Sequence, residues 1–284
     1  MLPTVSFEFF PPKTERMAST LWQSVQRLTP FKPSFVSVTY GAGGTTRERT
    51  HETVRKITQE TSLSAAAHLT CVSATSLEVD EIANDYWAMG VRHIVALRGD
   101  MPEPGQAYQP TANGYAYASD LVTGLKKLHD FEISVAAYPE THPEARDLAT
   151  EIDNLKRKFD AGATRAITQF FFETKDFLHY RDKMATAKLE MPIIPGILPV
   201  TNFKSMEAFA GRCGATVPKW VSQRFEGLDD DLETRSGIAA AMAVEQCKEL
   251  EREGVNAFHF YTLNRAELTT AICRMLGLGQ NTES

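Results

Sequence analysis

Short apolar runs rich in β-branched and aromatic residues alternate with charged stretches of helical period, and this alternation limits the fold more than any other feature of the chain. Eight such runs occur, at 5–10, 35–40, 65–71, 93–98, 133–138, 165–171, 193–198 and 258–263. The first four begin at positions 5, 35, 65 and 93, a spacing that accommodates one strand, one helix and two short loops. Between them, residues 19–28 place Leu21, Trp22, Val25 and Leu28 on one face, and residues 77–89 do the same with Ile82, Ala83, Tyr86 and Trp87. Gly90 follows the second stretch as a left-handed helix stop would, and the Gly162 and Gly254 segments repeat the pattern.

Strands that are almost continuously apolar are covered on both faces, which means a parallel sheet with helical crossovers. Eight strand–helix units predict an α/β fold closed as a (β/α)8 TIM barrel, one catalytic domain spanning residues 1–284. Two stretches depart from the repeat. Residues 102–114 are rich in Pro, Gly, Gln and Asn and read as a mobile loop. Residues 202–235 hold extra helical material between the seventh and eighth strands.

The net charge of −6 argues against nucleic acid as a partner, because phosphate backbones are repelled. No apolar run reaches the ~18 residues of a membrane span, and the first residues read as structure rather than as a signal peptide. The four cysteines, Cys71, Cys213, Cys247 and Cys273, form no CxxC pair and read as reduced thiols of a cytoplasmic protein. There is no GxGxxG after a strand, no phosphate loop, no HExxH or Cys/His spacing for a metal, and no GxSxG elbow.

In a barrel of this kind the chemistry sits at the carboxyl ends of the strands. Nearly every predicted strand here ends in a group that can donate, accept or titrate: Glu8, Thr39, His68, Arg98 with Asp100, Tyr138 with Glu140 and His142, Gln169, and Tyr261 with Arg265. Glu8 lies between Phe7 and Phe9 in sequence, so desolvation is expected to raise its pKa and make it a general acid; alternatively it caps the barrel bottom or pairs with a lysine. His68 alone reads equally as a hydrogen-bonded core histidine, Asp100 as half of a surface pair with Arg98, and the run Phe170–Phe172 as core. The basic segment 154–158 is either a solvated helix face or a pyrophosphate clamp, and Asp229–Asp231 a solvated turn that starts a helix.

Several long strings, in order, resemble the 5,10-methylenetetrahydrofolate reductase family in its short bacterial form, without the C-terminal regulatory domain of the eukaryotic enzymes. They are Val5-Ser-Phe-Glu-Phe-Phe-Pro-Pro12, Phe35-Val-Ser-Val-Thr-Tyr-Gly41, His68-Leu-Thr-Cys71, Ala96-Leu-Arg-Gly-Asp100, Tyr117-Ala-Ser-Asp120, Ala136-Ala-Tyr-Pro-Glu140, Asn154-Leu-Lys-Arg-Lys158, Ile167-Thr-Gln-Phe-Phe-Phe172 and Phe258-His-Phe-Tyr-Thr-Leu-Asn-Arg265. The resemblance implies FAD as cofactor and a ping-pong reaction. NADH reduces the flavin and leaves; 5,10-methylenetetrahydrofolate then binds in the same place and is reduced to 5-methyltetrahydrofolate, a methyl source for methionine synthesis.

By the same resemblance Glu8 protonates the folate, and Asp100 stands beside flavin and pterin. Thr39, His68, Arg98, Gly99, Asp100, Tyr117, Ala118, Tyr138, His142, Asn154, Arg157 and Lys158 match FAD contacts. Gln169, Phe209, Tyr261 and Arg265 match substrate contacts. Ser205 departs from the pattern, standing where a related bacterial enzyme has a substrate-contacting Gln, and the loop 101–116 is longer. The bacterial members are oligomers, so a homo-oligomer is expected. The rival readings are another flavin barrel acting on an amino acid, a zinc-thiolate methyltransferase barrel, and a non-catalytic flavin sensor.

Overall fold

The computed structural model describes residues 2–40, 47–101, 103, 106–200 and 202–279. Gly41, which closes the second resemblance string, and positions 102, 104 and 105 of the predicted loop lie outside the described residues.

All strands run parallel in one sheet, ordered β7-β6-β5-β4-β3-β2-β1-β9-β8. They are β1 (Thr4–Phe9), β2 (Val36–Val38), β3 (Ala65–Thr70), β4 (His93–Leu97), β5 (Glu132–Ala137), β6 (Arg165–Thr168), β7 (Ile193–Ile194), β8 (Gly196–Ile197) and β9 (Ala257–Tyr261). Eight runs were expected and nine strands are found among the described residues, because Pro195 divides the seventh run. Proline has no N–H to donate to a ladder. The chain therefore pairs with β6 up to Ile194 and with β9 from Gly196. Pro195 O accepts from His259 N at 3.0 Å, and Gly196 N donates to the Thr168 hydroxyl at 2.9 Å. The two halves act as one stave, so the (β/α)8 barrel of the sequence reading stands.

The helices form where the sequence supplies starts and stops. α1 (Glu15–Leu28) is capped by Thr14, α2 is Arg47–Glu60, and α3 (Ser76–Ala88) opens with a capping box between Thr75 and Glu78. α4 (Ala118–Leu128), α5 (Leu148–Asp160, capped by Asp147) and α6 (Thr174–Thr186) complete the outer layer on that side. Gly90, Gly162 and Gly254 take positive φ of 91°, 112° and 84° just past helix ends, as the stop signals predict. The extra material before the last strand becomes α7 (Phe203–Cys213), α8 (Lys219–Phe225) and the start of α9 (Leu232–Arg252), with Asp231 as cap of α9. α10 (Ala266–Met275) closes the ring.

One large core joins the outward side chains of the strands, Val5, Phe7 and Phe9 among them, to the inner faces of the helices, including Leu21, Val25, Tyr86 and Leu121. A second cluster, built on Phe170, Leu198, Met206, Ala210 and Phe225, sits under α7 and α8 beside the barrel mouth. Three of the four cysteines are buried and all are free. Among the described residues no helix is long and apolar enough to cross a membrane.

Candidate active site

Side chains alternate along a strand, and this overturns one step of the sequence reading. Phe7 and Phe9 point to the helices, so they do not desolvate Glu8. Glu8 points the other way, into the lumen, and is buried there at 8% exposure. Glu8 Oε2 lies 3.4 Å from His68 Nε2 and 3.7 Å from His259 Nε2. β2 intervenes between β1 and β3, so Glu8 and His68 can meet only across the barrel interior. Among the described residues neither the bottom cap nor the lysine partner is found: Glu8 sits one residue from the carboxyl end of β1, among histidines.

The environment of this carboxyl is set by its neighbours. Burial pushes the His68 pKa below the ordinary imidazole value; Glu8 works against that shift and His259 adds to it. His68 is therefore neutral at pH 7, and its Nε2 has no hydrogen-bond partner. His259 is held from below by Ser6, whose hydroxyl is 2.7 Å from Nδ1. The Tyr261 phenol donates to Thr168 O at 2.7 Å. Burial lifts its pKa well above the ordinary range, with the charge of Glu8 adding to the effect, so it remains a donor. Sequence reasoning missed Ser6 and His259: they read as alternating strand residues, and only barrel closure brings them under Glu8.

On the opposite side of the mouth, the ends of β4 and β5 bring Arg98, Asp100, Tyr138 and His142 together. Arg98 forms a close ion pair with Glu144 and lies 3.8 Å from Asp100, whose side chain is 87% exposed at the rim. The Tyr138 and His142 rings meet edge to face at 4.6 Å. Burial lowers the His142 pKa and Arg98 lowers it further, while Glu144 and Asp100 oppose. Gly99 takes φ 85° between the two charged residues.

The loop predicted over 102–114 meets the rim through Tyr108. Tyr108 stacks on Arg98 at 4.4 Å, donates to Ala116 O at 2.5 Å, and lies 5.8 Å from the exposed Tyr117 ring. Tyr117 and Ala118 start α4; Ala118 is buried, so it offers its backbone rather than its side chain.

Asn154, Arg157 and Lys158 stand at i, i+3 and i+4 on α5 and share a face. Lys158 reaches back to donate to Ala136 O at 2.9 Å. Burial pulls its pKa down to about 8, Glu151 raises it, and Arg98 lowers it. Among the described residues Lys158 has no carboxylate within ion-pair distance, and Arg157 is exposed with a free guanidinium. Two cations and an amide on one face, beside the rim where Arg98 and His142 gather, are a donor set that suits a phosphate-bearing ligand.

The second core cluster supplies an apolar wall between these groups and Glu8. Phe170 and Phe209 stack at 5.5 Å, and Phe170 meets Tyr261 edge to face at 6.4 Å. Gln169 turns its Oε1 to Phe170 N at 3.0 Å and keeps its amide N–H groups available. Ser205 is exposed, with its backbone N–H on Asn202. Thr39 and Arg265 meet across a cleft of about 550 Å³, lined also by Phe10, Lys13, Met17 and Leu263. The rim thus presents a buried carboxyl, an aromatic wall and a cationic side around one mouth.

Comparison with known proteins places the chain in a family. The family model described as methylenetetrahydrofolate reductase matches residues 2–277. The 5,10-methylenetetrahydrofolate reductase of Escherichia coli (strain K12) is 56% identical over 274 residues, covering 96% of this chain and 90% of that protein. Methylenetetrahydrofolate reductase (NADH) 1 of Arabidopsis thaliana is 34% identical, covering 96% of this chain and 48% of that protein. Among solved structures, an uncharacterized protein from Clostridium thermocellum that binds two copies of 5-methyl-5,6,7,8-tetrahydrofolic acid superposes with a TM-score of 0.65 at 15% identity, over 97% of this chain and 94% of that one. At that identity the likeness speaks to the barrel alone. The chain belongs to the methylenetetrahydrofolate reductase family.

Proposed function

We propose that this enzyme uses FAD to reduce 5,10-methylenetetrahydrofolate to 5-methyltetrahydrofolate, with NADH as electron donor and the two substrates taking turns at one site. The observation that carries the reading is the lumen carboxyl of Glu8, 3.4 Å from a neutral His68 and open to a mouth walled by Phe170, Phe209 and Tyr261. The name of the Escherichia coli relative supports the folate substrate, and the name of the Arabidopsis relative supports NADH.

Bound FAD would supply hydride transfer from the nicotinamide to the folate carbon. The chain's own residues supply the rest. Asn154, Arg157 and Lys158, with Arg98 and His142, would hold the phosphates and fix the ring system over the mouth. Tyr108 covers Arg98 and screens that side from water. Phe209, backed by the buried Phe170, gives an apolar face on which either substrate can stack, and Gln169 turns free amide donors toward it.

Glu8 would deliver a proton to the ring nitrogen of the folate, opening the five-membered ring to the electrophile that accepts hydride. A proton must reside on Glu8 for this. The neutral imidazole of His68 stands 3.4 Å from that carboxyl and places no cation beside it. Asp100, exposed at the rim beside Arg98, would favour the cationic form of the folate by its negative charge. In this reading the product is a methyl donor for methionine synthesis, and the enzyme works in the cytoplasm as a homo-oligomer.

The test is an anaerobic absorbance titration of the purified protein. A flavin spectrum should bleach on adding NADH and return on adding the folate. A colourless protein that takes up no flavin on reconstitution, or a reduced flavin that ignores the folate, defeats the reading.

A further inference from the structure

The chain leaves β9 at Tyr261 and enters α10 at Ala266 through a turn with two adjacent left-handed residues, Leu263 at φ 51° and Asn264 at φ 57°. Asparagine tolerates this conformation and leucine does not welcome it. Such a pair persists only where its surroundings over-determine it.

What holds the turn is the end of β1. The ladder between β1 and β9 stops at Glu8 opposite Tyr261. Beyond it, the carboxamide of Asn264 takes both backbone groups of Phe10: Oδ1 accepts from Phe10 N at 2.8 Å, and Nδ2 donates to Phe10 O at 2.8 Å. The side chain thus imitates a peptide unit and adds one more rung. Thr262 Oγ1 donates to Glu8 O at 2.6 Å, and Ser24 Oγ donates to Asn264 O at 2.8 Å from α1. Asn264 is itself buried, at 8% exposure.

We infer that Asn264 is a positioning residue that locks the end of β1, which carries Glu8, to the turn between Tyr261 and Arg265, so that the acid and the substrate-facing groups move as one unit. The inference rests on the reading of Glu8 as the acid. Among the described residues the Asn264 carboxamide bonds Phe10 rather than the Glu8 carboxyl or the Tyr261 phenol, so it acts through the backbone of Phe10 and through the turn. The residue type follows from the geometry. Aspartate could accept from Phe10 N but could not donate to Phe10 O, and glycine would keep the left-handed turn without either bond.

The test uses Asn264→Gly and Asn264→Asp as flavin-loaded enzymes, with the two half-reactions followed separately under anaerobic conditions. Flavin reduction by NADH should stay within about threefold of wild type. Reoxidation by methylenetetrahydrofolate should fall at least about tenfold, the scale expected when a catalytic group is displaced by a fraction of an ångström. The pH midpoint of reoxidation should also move, because the carboxyl no longer sits in its native surroundings. A role in folding alone would leave that midpoint in place. Reoxidation at the wild-type rate with an unchanged midpoint overturns the inference, as does an equal loss in both half-reactions or failure of both variants to fold. If Asn264→Gly alone fails to fold, Asn264→Asp decides, since it keeps one of the two bonds. A wild-type enzyme whose reduced flavin ignores the folate defeats the functional reading, and the purpose of the clamp with it.

Discussion

Glu8 and Lys158 are both ionisable side chains withdrawn from water, and the structure treats them differently. Among the described residues Glu8 has two imidazoles within 4 Å and no guanidinium or ammonium partner. Glu8→Gln keeps the shape and removes the proton. It should retain flavin and oxidise NADH at close to the wild-type rate, while folate reduction falls about 10²–10⁴-fold, the range of a lost general acid. Stopped-flow measurement of the two half-reactions decides this; normal folate reduction would remove Glu8 from the mechanism. Lys158 is a cation held at about pH 8 by burial, below its value of roughly 10.4 in an unfolded chain. The sign follows: the folded state binds that proton less well, so the fold bears the full cost below pH 8 and is relieved of it as pH rises toward ~10.4. The cost is at most about 3 kcal/mol. Lys158→Met should therefore leave the apoprotein at least as heat-stable at pH 7, yet weaken flavin binding by ~10–100-fold through loss of a charged contact. Thermal melts and a flavin titration check the two halves together, and a less stable apoprotein with unchanged flavin affinity would put Lys158 in the scaffold instead.

At the scale of elements, the critical place is the stave split by Pro195. Gly196 there packs against its neighbours with no room for a side chain: a Cβ would lie 2.2 Å from Thr168 O and 2.6 Å from the Tyr261 ring. Because one of those atoms is backbone, the strands must move apart. Gly196→Ala should cost about 1–3 kcal/mol and tilt Tyr261 away from Thr168, reducing folate reduction more than NADH oxidation. A melting curve with both half-reactions measures this, and a variant with native stability would show that the stave yields. The sequence reveals most elements, since their causes are local. Apolar runs mark the strands, Thr75 with Glu78 marks a helix start, and Gly90 marks a helix end. The Pro195 break escapes notice because either half alone is a two-residue strand defined by its partner. Phe7 and Phe9 mislead for a related reason: neighbours in a strand sequence face opposite layers. Asn264 and Phe10 bond across 254 residues of sequence, and no local pattern announces such a pair. The rim residues are legible as polar groups at strand ends, whereas their grouping into a carboxyl side and a cationic side depends on how the sheet closes.

At the scale of the whole molecule, the barrel differs from a lumen filled with branched apolar side chains. Its interior carries Ser6, Ser37, His68, His93, Ser134 and His259, all buried. The Phe35 ring lies between His93 at 4.5 Å and His259 at 5.7 Å. His93 Nε2 bonds the Ser134 hydroxyl at 2.7 Å. Burial drives the His93 pKa down to about 3, with Arg165 and the other two histidines adding to the shift. A histidine that is neutral when folded and free to protonate when unfolded ties stability to pH. Above about 6.5 neither state binds the proton and the contribution is complete; it is lost progressively as pH falls toward 3, because only the unfolded chain takes up the proton there. Between pH 7.5 and 5 this one residue should account for a loss of about 2 kcal/mol, or several degrees in melting temperature for a chain of this size. His93→Gln removes the titration and can still bond Ser134. Its melting temperature is expected to start lower, so the slope with pH is the quantity to compare. The variant should lose fewer degrees than wild type between pH 7.5 and 5, with His68, whose pKa is also lowered, accounting for part of the remaining dependence. Equal slopes would mean that the lumen histidine is not linked to folding, and the acid sensitivity of the barrel would then belong to its surface carboxylates.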